Sequence, residues 1–226
     1  MRIPELEARD FAELCIFPLP SVTLFPGAAL PLHVFEPRYR ELVKKVLSER
    51  KVMAVARLKP GFEATYEGRP PVFDVCGVGV VESYNERPDG RYDLTLRGVA
   101  RARILSELPP VFAYRRVRAE RLSEPEVGPG LVAAWQLKLR QLWLELAPHL
   151  PEQVRDLREL TRDADGPSAY ADRLAAALVA DPEASQALLS EADPGERLRL
   201  LTARVQELVD ALAPSPRGAA KERALN

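Results

Sequence analysis

Up to Leu122 the apolar positions come in short runs rich in Val, Phe and Tyr, broken by Pro and Gly. That pattern predicts strands and turns, with strands over 14–19, 29–35, 51–58, 72–84, 91–98, 99–107 and 112–121. The clearest alternation is Arg91–Arg97. Tyr92, Leu94 and Leu96 fall on one face, and Arg91, Asp93, Thr95 and Arg97 on the other. Ahead of it, Arg87-Pro88-Asp89-Gly90 has turn chemistry, Pro presetting φ and Gly accepting positive φ, so 72–84 and 91–98 predict a hairpin. One helix interrupts the strands. Tyr39, Leu42, Val43, Val46 and Leu47 make a single apolar stripe; Pro37 suits the first turn, and Glu36 sets a negative charge at the positive end of the helix dipole.

Beyond Leu122 the period is 3.6. Leu131, Trp135, Leu139, Leu142 and Leu146 predict one buried helical face, ended by Pro148 and Pro151. A short helix with Val154, Leu157 and Leu160 inward follows, then one marked by Tyr170, Leu174 and Leu178. Asp181-Pro182-Glu183 and Asp193-Pro194-Gly195-Glu196 each supply a cap, a Pro for the first turn and early acids. The last helix carries Leu198, Leu201, Val205, Leu208 and Leu212, a spacing that also suits a coiled coil but runs for barely two heptads. Strands followed by helices predict an α+β fold, with a β subdomain over 11–122, a helical subdomain over 123–214 and a disordered tail over 215–226.

Composition narrows the chemistry. The net charge is −1, the first half slightly basic and the second slightly acidic, which is no nucleic-acid footprint. Arg greatly outnumbers Lys beside 21 Pro and many Ala, the mark of a GC-rich coding bias, so Arg abundance is no functional clue. No apolar run is long enough for a membrane helix, and the acidic N-terminus does not read as a signal peptide; the expected location is the cytoplasm. Cys15 and Cys76 lie in apolar runs and are expected to be reduced core thiols.

Catalytic constellations do not emerge. His33 and His149 are the only histidines, and no Cys-x-x-Cys, His-x-x-x-His, Gly-x-Ser-x-Gly or P-loop spacing occurs. Gly77-Val78-Gly79-Val80-Val81-Glu82 begins like a dinucleotide fingerprint but has Glu at the third glycine and sits in a hairpin strand. No catalytic, metal-binding or cofactor-binding residue is therefore assigned. Arg97, Arg101, Arg103, Arg115, Arg116 and Arg118 could form a basic face; the other reading is a solvated sheet face paired with Asp93, Glu107 and Glu120, without the aromatic ladder of a single-strand binder.

The segment Phe17-Pro18-Leu19-Pro20, Leu24-Phe25-Pro26-Gly27, Leu30-Pro31-Leu32 and Phe35-Glu36-Pro37-Arg38-Tyr39-Arg40 is far from generic. It resembles the opening signature of the Lon protease N-terminal (substrate-binding) domain family. Pro88–Tyr92 leading into Leu96-Arg97-Gly98-Val99-Ala100-Arg101-Ala102-Arg103-Ile104 is similar to a second family motif. Ala171–Ala175, Gln186–Leu189 and Asp193–Arg197 are similar to a third, and the resemblance runs over about 14 to 213.

The resemblance implies a PUA-like β pseudo-barrel with one helix, followed by an α-helical bundle. In full-length Lon proteins this domain captures unfolded or tagged clients and helps arrange the oligomer, while hydrolysis occurs elsewhere. A chain of this length has no room for the ATPase and protease parts, so the expectation is a non-catalytic module binding unfolded proteins or peptides, acting alone or with a Lon-type protease in trans. Because PUA-like folds often bind RNA, an RNA-binding module is the alternative. Signature prolines and Gly27 are expected to serve the fold, with Glu36 and Arg38 as a structural pair. A client surface must leave apolar area exposed, and its candidates are Phe25, Phe35, Tyr39, Phe62 and Tyr66.

Overall fold

The computed structural model describes residues 5–66, 68–152, 156–162 and 164–212. Val154 and the 215–226 tail lie outside these residues. The chain runs α1 (Ala8–Ala12), β1 (Leu14–Leu19), β2 (Ala29–Val34), α2 (Pro37–Ser48), β3 (Val52–Arg57), β4 (Val75–Glu86), β5 (Tyr92–Glu107) and β6 (Arg115–Arg121). Helices follow: α3 (Pro129–Leu146), α4 (Leu157–Thr161), α5 (Gly166–Leu178), α6 (Pro182–Ser190) and α7 (Pro194–Leu212). The fold is α+β, as the change of period predicts.

Closure of the sheet depends on β5, one continuous strand of 16 residues where two were expected. On one side it pairs with β4 along its length, the predicted hairpin. On the other, its first half pairs with β2 (Leu30↔Leu96) and its second half with β6 (Arg103↔Glu120). With β1 between β6 and a parallel β3, the order β5-β4-β3-β1-β6 returns to β5, and β2 is left outside the ring. Register shifts at Val78/Gly79, Val81/Ser83 and Ile104/Ser106 supply the bends that closure needs.

A five-stranded ring has little space inside, and the sequence fits it with small side chains. Leu14 and Ile16, Ala54 and Ala56, Cys76 and Val78, Ala100 and Ala102, and Val117 and Ala119 form one buried cluster, two from each strand. Phe11 joins them from α1, a helix the sequence pattern did not reveal. Alternate residues of the same strands, among them Cys15, Phe17, Met53 and Val55, face outward and are covered by Tyr39, Leu42, Val43 and Val46 of α2. Burial pushes the Cys15 thiol up to about 11 and that of Cys76 to about 12, so both remain protonated and inert near neutrality.

Between β1 and β2 the chain crosses the barrel wall at glycines. A Cβ on Gly77 would lie 1.9 Å from the Leu24 carbonyl oxygen, and one on Gly98 would lie 2.0 Å from that of Phe25. This close approach sends Leu24 into the cluster under α2 and Phe25 into the helical half. There Phe25 and Val75 join Leu139, Trp143, Tyr170, Leu174, Leu188, Leu189, Leu198 and Leu201. The buried side of α3 is Leu139, Leu142, Trp143 and Leu146; Leu131, expected on it, is exposed in the first turn. Both predicted caps form: Asp181 accepts from the Ala184 N–H at 2.7 Å, and Asp193 from that of Gly195 at 2.7 Å.

Charged side chains close the seam between barrel and bundle. Arg101 of β5, Asp172 of α5 and Arg197 of α7 are all essentially buried. Arg101 donates both terminal nitrogens to the Asp172 carboxylate, one at 2.7 Å, and its Nε to the Leu189 carbonyl at 3.0 Å. Glu124, in the connection between the halves, accepts from Arg197 at 2.8 Å, Arg101 at 3.2 Å and the Ser168 hydroxyl at 2.8 Å. Burial and the nearby Arg101 charge press the Arg197 guanidinium below its usual value, while Asp172 and Glu124 oppose them. Farther along the seam, Arg57 pairs with Glu183, and Gln186 donates to the Val75 carbonyl at 3.0 Å.

Candidate functional site

Phe35 leaves the end of β2 with 57% of its surface in water, its ring stacked near His33 at 6.0 Å between centroids. The next residue, Glu36, stands at the N-cap position of α2 without capping it through its side chain, which instead fixes the surroundings. Its carboxylate accepts from Arg38 Nε at 3.0 Å and from the Tyr66 hydroxyl at 3.0 Å. Arg38 Nη1 donates to the Tyr66 carbonyl at 3.2 Å, and its guanidinium lies 4.7 Å from the Tyr39 ring centre and 5.1 Å from that of Tyr66. The expected Glu36–Arg38 pair thus exists, with a role beyond holding the helix start: it clamps the loop between β3 and β4 onto the corner between β2 and α2.

That loop turns at Gly61, whose φ of +83° favours glycine, into a 3-10 turn over Phe62–Thr65. Phe62 and Tyr66 are half-exposed, with rings 6.1 Å apart. Burial, then the bond to Glu36, raises the Tyr66 hydroxyl above the usual phenol range. Past Tyr66 the loop is pinned again. Arg69 pairs with Glu107 at 2.5 Å, and Arg115 reaches both Glu107 at 2.8 Å and the Pro70 carbonyl at 2.7 Å. Burial works against ionisation of Glu107, but the Arg115 and Arg69 bonds outweigh it and hold the carboxyl below the usual carboxylate range.

The same arginine leads to a second loop. Arg69 Nη2 donates to the Phe112 carbonyl at 3.4 Å. Val111, with 71% of its surface in water, and the exposed Phe112 stand between β5 and β6; Phe112 stacks on Tyr114 at 5.0 Å with Arg116 above it at 4.6 Å. A strand had been expected from residue 112, but β6 begins at Arg115. Glu36 and Arg38 link the segment of Phe35 to the loop of Phe62 and Tyr66, and Arg69 links that loop to Val111 and Phe112, so three apolar segments form one arc tied by Glu36, Arg38, Arg69 and Glu107.

Two of the five candidates do not belong to it. Phe25 is buried where the barrel meets the bundle, because the glycines beneath its segment draw the chain against the wall. Tyr39 is buried on Phe17, ring centres 4.2 Å apart, and burial pushes its hydroxyl up to about 12. Neither can offer a surface in this conformation. Val111 and Phe112 were missed, although their setting after Pro109-Pro110 is the kind that leaves apolar side chains in a loop.

The six arginines weighed as one face are scattered. Arg101 and Arg115 are buried and paired, Arg97 pairs with Glu82 at 3.0 Å, and Arg116 with Glu13 at 2.6 Å. Arg103 does lie across from Glu120, at 3.9 Å, whereas Asp93 is taken by Arg87 and His33, each at 2.6 Å. Among the described residues no group of three or more His, Cys, Asp or Glu could hold a metal ion, and no helix is long and apolar enough to cross a membrane.

Comparison with known proteins gives this geometry its context. Residues 13–207 match the family of the ATP-dependent protease La (LON) substrate-binding domain. Lon protease 2 of Myxococcus xanthus is 26% identical over 83% of this chain and 23% of its own length, and Lon protease of Roseiflexus castenholzii is 30% identical over 87% and 24%. The chain thus spans about a quarter of the length of these curated relatives. Among solved structures, a Lon N-terminal domain protein from Xanthomonas campestris aligns with 84% of this chain and 97% of its own, at 25% identity and a TM-score of 0.59. The N-terminal domain of Mycobacterium avium complex Lon protease shares the fold at 18% identity, with a TM-score of 0.67 over 86% of this chain and 98% of its own. A match across most of the barrel and bundle places this chain in the Lon substrate-binding domain family.

Proposed function

We propose that this chain is a non-catalytic protein-binding module that takes unfolded segments of client proteins onto the arc of Phe35, Phe62, Tyr66, Val111 and Phe112. The observation that carries this reading is the exposure of Phe35, Val111 and Phe112 in segments that the Glu36–Arg38 and Arg69–Glu107 pairs tie to the loop between β3 and β4. Apolar side chains kept in water by a fixed scaffold cost stability unless something covers them, and their cover must be apolar and adaptable. An unfolded segment meets both requirements. Membership of a family described as substrate-binding supports the same reading. The corresponding cellular role is that of an adaptor or chaperone-like factor, including delivery of clients to a Lon-type protease in trans.

The test is fluorescence anisotropy with a labelled, permanently unfolded protein, at low and high salt. Binding should change little with salt, because burial of apolar surface rather than charge drives it. Phe35→Ala combined with Phe112→Ala should weaken it by about 2 kcal/mol or more, the usual cost of truncating a hot-spot aromatic, with the melting temperature nearly unchanged. Phe62→Ala with Tyr66→Ala should weaken it too, with some loss of stability because Tyr66 bonds Glu36. Absence of binding by the unaltered chain would remove the reading. Retention of RNA that falls steeply with salt and is lost in Arg116→Ala would replace it with an RNA-binding one.

A further inference from the structure

Helix α3 has two apolar faces. One, with Leu139, Leu142, Trp143 and Leu146, is buried in the bundle. On the opposite side Leu137 and Leu144 are 61% and 78% exposed, Leu144 being the most exposed large apolar residue among those described. With Ala134 and Gln141 they form a 3-4-3 stripe, the spacing of a helix seam. Successive seam positions on an α-helix stay aligned for about two turns, so the stripe can meet another helix without deforming α3. Lys138 and Glu145 lie seven residues apart on one flank of the stripe, and among the described residues neither forms an ion pair or hydrogen bond.

We infer that this stripe is a contact between two copies of this chain, joined antiparallel about a twofold axis beside Gln141. In that arrangement Leu137 of each copy lies against Leu144 of the other. A twofold axis across antiparallel helices brings like flanks together, so the flank bearing Lys138 and Glu145 meets itself in reverse order. Lys138 of one copy then stands by Glu145 of the other, twice over. The two Gln141 amides meet near the axis, where a polar pair in an apolar seam fixes register. This self-complementarity under reversal distinguishes a second copy from an unfolded client, which needs only the leucines. The contact is independent of the client arc and is tested without any client.

Sedimentation over a micromolar-to-millimolar range should show a concentration-dependent monomer–dimer equilibrium. Leu144→Glu should abolish the dimer and leave the melting temperature of the monomer unchanged, since that side chain already stands in water. Lys138→Glu and Glu145→Lys should each weaken dimerisation roughly tenfold, because each places like charges at both symmetry-related positions. Mixing these two single variants should restore association, as should placing both substitutions in one chain. A chain that stays monomeric throughout the range overturns the inference. So does a dimer indifferent to Leu144→Glu, and so do charge reversals that fail to rescue one another.

Discussion

Inside the barrel, two side chains from each of five strands meet, most of them Ala, Val or Cys, with no charge among them. Where β5 turns to the bundle, two arginines and an aspartate are buried as completely, tied to each other, to Glu124 and to the Leu189 carbonyl. Each region tolerates what the other does not. An apolar interior filled to its limit can lose an atom at modest cost but cannot gain one easily. A buried ion group is a poor source of net stability, yet removal of one partner strands the others without water. The interior of the barrel is thereby filled by volume alone, whereas the bundle meets it through buried charge beside the apolar contacts of Phe25 and Val75.

Substitutions can break this contrast. The largest effect is expected from Asp172→Ala, which leaves Arg101 and Arg197 facing each other; loss of one partner of a buried pair costs about 3–5 kcal/mol, readable by urea unfolding. A change below about 1 kcal/mol would mean that the seam is hydrated. Next comes Gly77→Ala, whose added methyl would displace the Leu24 carbonyl and unseat Leu24 and Phe25 together. About 1–3 kcal/mol is expected for that overpacking, with loss of signal from both clusters by hydrogen exchange. Subtraction inside the barrel is milder: Cys76→Ala should cost about 1 kcal/mol and leave the sheet closed.

Smaller effects fall on the rim. Glu107 has its carboxyl held below the ordinary range in the folded chain. Its pairing therefore stabilises the fold above the ordinary carboxylate range and is lost as pH falls through the lowered folded value. Glu107→Gln should flatten that acid limb of the stability curve; an unaltered limb would show that other carboxylates set it. The smallest effect is reserved for Phe35→Ala, expected within about 0.5 kcal/mol of the unaltered chain because the ring packs little. A larger loss would mean that Phe35 is structural and not part of the binding arc.

The same contrast explains what could be read from the residues alone. Alternation located the strands because each has one face on an apolar cluster, and β1 was bounded correctly at both ends. Arg101 carried no such signal: its alternation is that of any strand, and its partners lie 71 and 88 residues away on helices. Phe25 was a surface candidate because it is an apolar residue near strand ends, but its burial depends on Gly77 and Gly98 across the sheet. Phe35, Phe62 and Tyr66, which the fold leaves at least partly in water, could be singled out because apolar residues at element ends are visible locally. Phe112 was absorbed into a strand expected from 112 that starts only at Arg115, and Val111 stood unassigned just before it.

The charged seam also bears on how the chain emerges from the ribosome. All six strands are complete by Arg121, so the whole ring precedes α4 to α7 in the order of synthesis. A ring closed ahead of the bundle would leave Arg101 and Arg57 without Asp172 and Glu183, which lie more than fifty residues beyond Arg121. A nascent barrel thus presents guanidinium groups beside Phe25 and Val75, in place of a continuous greasy strip. Repulsion between such half-made chains on neighbouring ribosomes would discourage their premature association, and the positive charge disappears from the surface only when each chain's own helices have been translated.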